Sequence, residues 1–173
     1  MTTLNFVFEN NLSAKEDKIE FLNKHPNDLV IMDLTSFELK DFFDLFPNLI
    51  AATSTKLNLD NHCEVFVRKH REEVLKFLEA QDLKPVEIIH NDGFFYLPRI
   101  LSTIVNEAYF ALEDKIASSE DIDCAMKFGV NYPEGPFKWI EGRQSYVVTL
   151  LDQIYLKTKN DRYLVAPILR SLV

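Results

Sequence analysis

The hydrophobic periodicity of this sequence changes once, near Gly93, and that change demands two units of different class. Before it, apolar runs of strand length alternate with stretches of helical spacing. After it, apolar residues recur only at three- and four-residue intervals. Strand-helix alternation asks for a sheet with helices packed on it, and helix-only patterning asks for a bundle. The expected fold is α/β followed by all-α, with domains at residues 1–91 and 92–173. The polar run His90-Asn91-Asp92-Gly93 sets the boundary.

In the first unit, residues 4–8 (LNFVF), 28–33 (DLVIMD), 49–52 (LIAA), 63–67 (CEVFV) and 86–89 (VEII) have strand character. They predict a sheet of about five strands, mostly parallel because helical segments intervene. Ser13 with Glu16 three positions on has capping-box spacing before a helix that ends near His25-Pro26. Residues 37–46 carry Phe37, Phe42, Phe43, Leu45 and Phe46 and predict a short helix stopped by Pro47. Eight of the 14 phenylalanines precede residue 70, which fits a dense core and equally an aromatic partner surface.

In the second unit, Leu97, Ile100, Leu101, Ile104, Val105, Ala108, Ala111 and Leu112 form one apolar stripe along a long helix. Ser118, followed by Glu120 and Asp121, predicts a capped helix start with acids where the helix dipole favours them. Gly129 predicts its C-terminal stop, and Pro136 the first position of the next helix. Residues 147–155 and 163–172 predict two more helices.

Several function classes are excluded by charge and spacing. Lys plus Arg number 19 and Asp plus Glu 27, a net charge of −8 that repels nucleic acid. The four glycines are never closer than six positions, so neither a dinucleotide GxGxxG loop nor a GxxxxGK[ST] phosphate loop is present. Cys63 and Cys124 stand alone and give neither a disulfide framework nor a metal site. The start has no signal-peptide pattern and no apolar run is long enough to span a membrane, so the expected location is a reducing cytoplasm.

The segment at residues 117–139, ASSEDIDCAMKFGVNYPEGPFKW, resembles the signature of the C-terminal domain of 3-hydroxyacyl-CoA dehydrogenases. Gly93-Phe94 with Pro98-Arg99-Ile100, Asn106-Glu107-Ala108, Asp161-Arg162-Tyr163 and Pro167-Ile168-Leu169 follow in that family's order. The resemblance implies a helical domain that forms homodimers and closes over an acyl-CoA substrate. More weakly, residues 5–9 and the following helix resemble the fourth strand and next helix of the family's NAD-binding domain. On that registration the first unit is a truncated Rossmann-like remnant. The half with the glycine loop is absent from it, and residues 63–67 form an antiparallel strand.

The same registration implies site residues. The family uses a histidine as base on the 3-hydroxyl, oriented by a glutamate, with hydride passing to NAD; the carboxylate fixes the imidazole tautomer and stabilises its charged form. Thr53 falls at the histidine position, Lys56 at a nearby asparagine, and Glu64 at the glutamate as a vestige of the dyad. Asp33-Leu34-Thr35-Ser36 falls on a strand end that lines the family's active site, which makes Thr35, Ser36 and Lys56 the expected substrate-binding residues. Thr35-Ser36 is equally simple capping chemistry for the 37–46 helix. His62 is a rival base, two residues from Glu64 on one strand face, a spacing that a solvated strand produces as well.

Two functions follow from the resemblance. One is a dimeric acyl-CoA-binding or structural relative with no cofactor of its own. The other is an NAD-dependent dehydrogenase component whose nucleotide-binding half comes from a partner chain docked along the edge from Leu4 to Phe8. Neither reading includes nucleic acid, a membrane or a metal.

Overall fold

The segment LVIMD has no polar residue until its last position, and a strand apolar on both faces has to be covered on both faces. The computed structural model, which describes residues 4–90 and 93–173, makes it an interior strand. Five strands, β1 (Phe6–Glu9), β2 (Leu29–Asp33), β3 (Leu49–Thr53), β4 (His62–Val67) and β5 (Lys84–Ile88), lie in the order of their numbering. β1, β2 and β3 run parallel, β4 is antiparallel to β3, and β5 is parallel to β4. The mostly parallel sheet with an antiparallel fourth strand is thus as expected.

Parallel neighbours need crossovers, and the helices supply them. α1 (Lys15–Lys24) joins β1 to β2, α2 (Leu39–Phe43) joins β2 to β3, and α3 (Arg71–Glu79) joins β4 to β5. The strand period of two then sorts the core. Val30 and Met32 pack with Leu22 of α1 and with Phe42 and Phe43 of α2. Ile31, Ile50 and Val65 pack on the other face with Val74 and Leu78 of α3. Phe37, Phe42 and Phe43 are buried, and Phe6, Phe8, Phe21, Phe46 and Phe66 pack against the same two clusters. The phenylalanines of this unit are core residues.

Local chemistry corrects two expectations here. Ser13 does not cap α1; Ala14 holds that position without a side-chain bond. The carboxylate of Glu9 instead takes the N–H groups of Asn11 and Leu12, which fixes the chain one turn earlier. The 37–46 helix is a single turn at Leu39–Phe43 with Glu38 as N-cap, so Thr35-Ser36 does not cap it. The Thr35 hydroxyl donates to Asp33 instead.

The chain divides into its two compact units after Leu97. The boundary expected between residues 91 and 92 lies outside the described residues. The second unit contains most of α4 (Tyr96–Glu113), then α5 (Ser119–Gly129), α6 (Pro136–Trp139), α7 (Gln144–Thr158) and α8 (Pro167–Arg170). Ser118 caps α5 as expected, its hydroxyl accepting from Asp121 N. Gly129 is the last helical residue rather than the stop, and Asn131 takes the left-handed turn at φ 59°. The 163–172 helix is split into a 3-10 turn (Asp161–Tyr163) and α8, because Pro167 lacks an N–H and holds Ala166 extended. Among the described residues no helix is long and apolar enough to cross a membrane.

One glycine is sterically required. Asp123 reaches from α5 to the start of α6, accepting from Phe137 N at 2.8 Å and Lys138 N at 3.0 Å. A Cβ on Gly135 would lie 2.2 Å from its Cγ. Gly135→Ala is therefore expected to displace the Asp123 carboxylate and cost about 1–3 kcal/mol, measured by urea denaturation. A Gly135→Ala variant as stable as the parent would refute this close approach.

Candidate functional site

Both parallel strands β1 and β2 end in an acid, Glu9 and Asp33, at the carboxyl end of the sheet, where open α/β sheets bind ligands. Neither acid is exposed: Glu9 keeps 6% of its surface and Asp33 2%. A buried carboxylate must be satisfied by donors or by a cation. Asp33 is satisfied by donors. Its Oδ1 accepts from Thr35 N at 3.1 Å, and its Oδ2 from Thr35 Oγ1 at 2.9 Å, Thr55 N at 2.7 Å, Thr55 Oγ1 at 2.6 Å and Lys56 N at 3.2 Å. One side chain thereby ties the end of β2 to the turn after β3.

Lys18 of α1 is 1% exposed and lies among these groups. Its Nζ donates to the Asp33 carbonyl at 2.7 Å and stands 3.8 Å from Glu9 Oε2. Burial holds its pKa below the ordinary lysine value, and the Asp33 and Glu9 carboxylates oppose that shift. Glu9 Oε2 has no hydrogen-bond partner, so Lys18 compensates it through charge.

At the end of β3, Thr53 has no exposed surface and its hydroxyl oxygen has no partner. The next residue, Ser54, links to β4: its Oγ accepts from Glu64 N, and its own N–H donates to Glu64 O. The Glu64 side chain points to the first turn of α4, where Oε2 accepts from Leu97 N at 3.0 Å. Burial raises its pKa, and the hydrogen bonds from Leu97 and Tyr96 partly offset the rise. A carboxylate at a helix start complements the N-terminal end of the dipole.

The sign of the Glu64 shift gives a test. Because its folded pKa is raised, the native state holds the proton more tightly than the unfolded chain. Stability from this group is present at and below the unfolded value and is lost as pH rises through the folded one. In Glu64→Gln that decline just above the ordinary glutamate pKa is expected to vanish, while the amide oxygen still accepts from Leu97. Urea titrations across mildly acid pH would check it, and identical pH profiles for both proteins would count against it.

The expected site residues are partly assembled. Thr35 and Lys56 meet at Asp33, and Lys56 N also lies 3.2 Å from Thr35 Oγ1. Ser36 is buried beside them in sequence. His62 is 48% exposed in its side chain; its Nδ1 faces the Leu59 carbonyl at 3.2 Å and Asp60 at 3.9 Å, whereas Glu64 faces α4. Cys63 is buried, and burial together with the Asp33 charge pushes its thiol up to about 11, which makes it inert as a nucleophile at neutral pH. No cluster of metal-ligating groups occurs among the described residues. Glu9, Lys18 and the Asp33 carboxylate were not picked out by sequence patterning. Their signal was there: a lone acid closing each of two apolar strands, and a lysine four residues before Leu22 on the buried face of α1.

Comparison with known proteins fits this arrangement. Residues 93–173 match the family model described as 3-hydroxyacyl-CoA dehydrogenase, C-terminal domain. The 3-hydroxyadipyl-CoA dehydrogenase of Escherichia coli (strain K12) is 35% identical over 98 residues, covering 55% of this chain and 20% of the relative. The 3-hydroxybutyryl-CoA dehydrogenase of Clostridioides difficile is 34% identical over 91 residues, covering 51% of this chain and 32% of the relative. The matched part thus spans a third or less of those relatives' length. Among solved structures, (S)-3-hydroxybutyryl-CoA dehydrogenase from Ralstonia eutropha superposes with a TM-score of 0.73 at 18% identity, covering 96% of this chain and 64% of that one. The 3-hydroxybutyryl-CoA dehydrogenase of Escherichia coli K12 gives 0.70 at 21% identity, covering 84% and 32%. The fold of the described residues is shared with these enzymes. Residues 93–173 thus carry the C-terminal domain of the 3-hydroxyacyl-CoA dehydrogenase family.

Proposed function

We propose that this chain is a relative of the 3-hydroxyacyl-CoA dehydrogenases of fatty-acid metabolism that does not itself transfer hydride. It acts as a dimer that binds an acyl-CoA-like ligand or serves a structural part. The observation that carries this reading is Thr53. The resemblance puts the catalytic base at that position, and a sealed threonine hydroxyl has no means of accepting a proton near neutral pH. Glu64, the residue that would orient such a base, spends its carboxylate on the start of α4.

The residues of this chain also do not fit a dinucleotide. A phosphate cradle needs glycines and unspent backbone donors after a strand. The connection after β1 has no glycine, and its Asn11 and Leu12 N–H groups are given to Glu9. Dimerisation is supported by an apolar groove of about 370 Å³ in the second unit, lined by Ile104 and Ala108 of α4, Ile122 and Met126 of α5 and Pro136 of α6. A second copy would bury it.

The test is acetoacetyl-CoA reduction by NADH on pure protein, with sedimentation velocity on the same sample. The expected result is no NADH oxidation above background and a dimer. Robust turnover would overturn the reading.

A second reading is favoured by one observation: among the described residues β1 pairs with β2 alone and leaves its outer edge as a template for strand addition. A partner chain carrying a glycine loop would complete a nucleotide-binding sheet there and bring NAD. Co-purification from source cells separates the two readings, because only the second expects a glycine-loop protein to co-elute.

A further inference from the structure

The two outer strands of the sheet are built differently. β5 is guarded: Pro85 has no N–H to offer, and Lys84 and Glu87 put charge along the strand, tied to Asp60 and Arg71. Proline and charge on an outer strand block strand addition. β1 has neither guard. Residues 4–8 (LNFVF) carry no charge and no proline. The first acid, Glu9, is 6% exposed and faces Lys18 inside the unit. In a chain of net charge −8, two copies can approach along this stretch without setting like charges against each other.

An aromatic ledge adjoins the same edge. Phe6 and Phe8 share one face of β1, because strand side chains alternate, and Val7 takes the other. Each of the two rings meets Phe77 of α3 edge to face, at centroid distances of 5.6 and 5.8 Å. All three rings are only partly buried. A strand added to β1 therefore has to bring backbone N–H and C=O groups, and apolar side chains at alternate positions on the Phe77 side. β1 itself has that pattern. Antiparallel pairing of two copies about Val7 sets Phe6 of one opposite Phe8 of the other. Cross-strand aromatic pairs then form on the Phe77 face, and the two Val7 side chains meet on the other.

We propose that β1 pairs antiparallel with β1 of a second copy of this chain, joining two five-stranded sheets across a two-fold axis at Val7. Such a contact matches each residue with its own image, so one uncharged aromatic strand supplies both halves. Four residues a side make a small interface, and association in roughly the micromolar range is expected. The contact lies in the first unit and is independent of the α4–α5 groove. It competes with any partner chain for the same edge.

The test is sedimentation velocity of the full-length chain over a concentration series that spans about 1–200 μM. A doubling of mass with concentration is expected, whether it starts from a monomer or from a dimer held by the second unit. Val7→Lys sets two like charges against each other at the axis and is expected to weaken that step about tenfold. Val7→Thr, also β-branched and uncharged, is expected to keep it. Circular dichroism establishes that both variants fold. Hydrogen exchange of the outward β1 amides is expected to slow as concentration rises, which distinguishes this edge from a contact in the second unit. A constant mass across the series, an unchanged step in Val7→Lys, or β1 exchange independent of concentration would overturn the proposal.

Discussion

Asp33→Ala is expected to cost about 3–5 kcal/mol, a large part of the roughly 5–15 kcal/mol that holds a domain together. The carboxylate accepts five hydrogen bonds from Thr35, Thr55 and Lys56. Removing it leaves the N–H groups of Thr35, Thr55 and Lys56 without this acceptor in a partly or wholly buried site. It also removes one of the two carboxylates that favour the charged form of buried Lys18. Asp33→Asn keeps an oxygen but offers an N–H where acceptors are needed, so an intermediate loss is expected. Urea denaturation followed by far-ultraviolet circular dichroism measures both. A loss below about 1 kcal/mol in the alanine variant would mean that these bonds are replaced by water at little cost.

Asn106→Ala is expected to cost about 2–4 kcal/mol, and in the second unit. Asn106 has no exposed surface and reads the backbone of a distant segment with both ends of its amide. Nδ2 donates to the Leu164 carbonyl at 2.7 Å, and Oδ1 accepts from Ala166 N at 2.9 Å. These bonds hold the extended stretch that Pro167 imposes before α8. Hydrogen exchange separates the two bonds. The Ala166 amide is expected to lose protection in Asn106→Ala and to keep it in Asn106→Asp, which retains the acceptor. Equal protection of Ala166 in the parent and the alanine variant would refute the clamp.

The sheet was legible because strand patterning reports burial directly. LVIMD and LIAA have no hydrophilic face, and both became interior strands. Ser118 and Pro136 were legible because capping is a local matter of one side chain or one ring. Ser13 and Thr35-Ser36 look like caps in sequence, yet neither α1 nor α2 has a side-chain cap. Glu9 and Asp33, both brought in by the sheet, instead fix the chain ahead of those helices, through Asn11 N and Leu12 N and through Thr35. Lys18 illustrates the same limit. In sequence it sits in the polar run KEDK, and only the fold brings Asp33 and Glu9 to its ammonium. The site residues named from family resemblance landed at one end of the sheet, but no spacing rule could show that Glu64 turns toward α4 while His62 stays at the surface.

The sealed position of Thr53 limits what can replace it. It sits at the end of a strand whose five residues are all buried, with zero exposure of its own. An imidazole there would be a larger group forced into closed packing, at about 1–3 kcal/mol, before it could touch any substrate. The closed packing around Thr53 thus leaves no room for a proton-accepting ring at the end of β3.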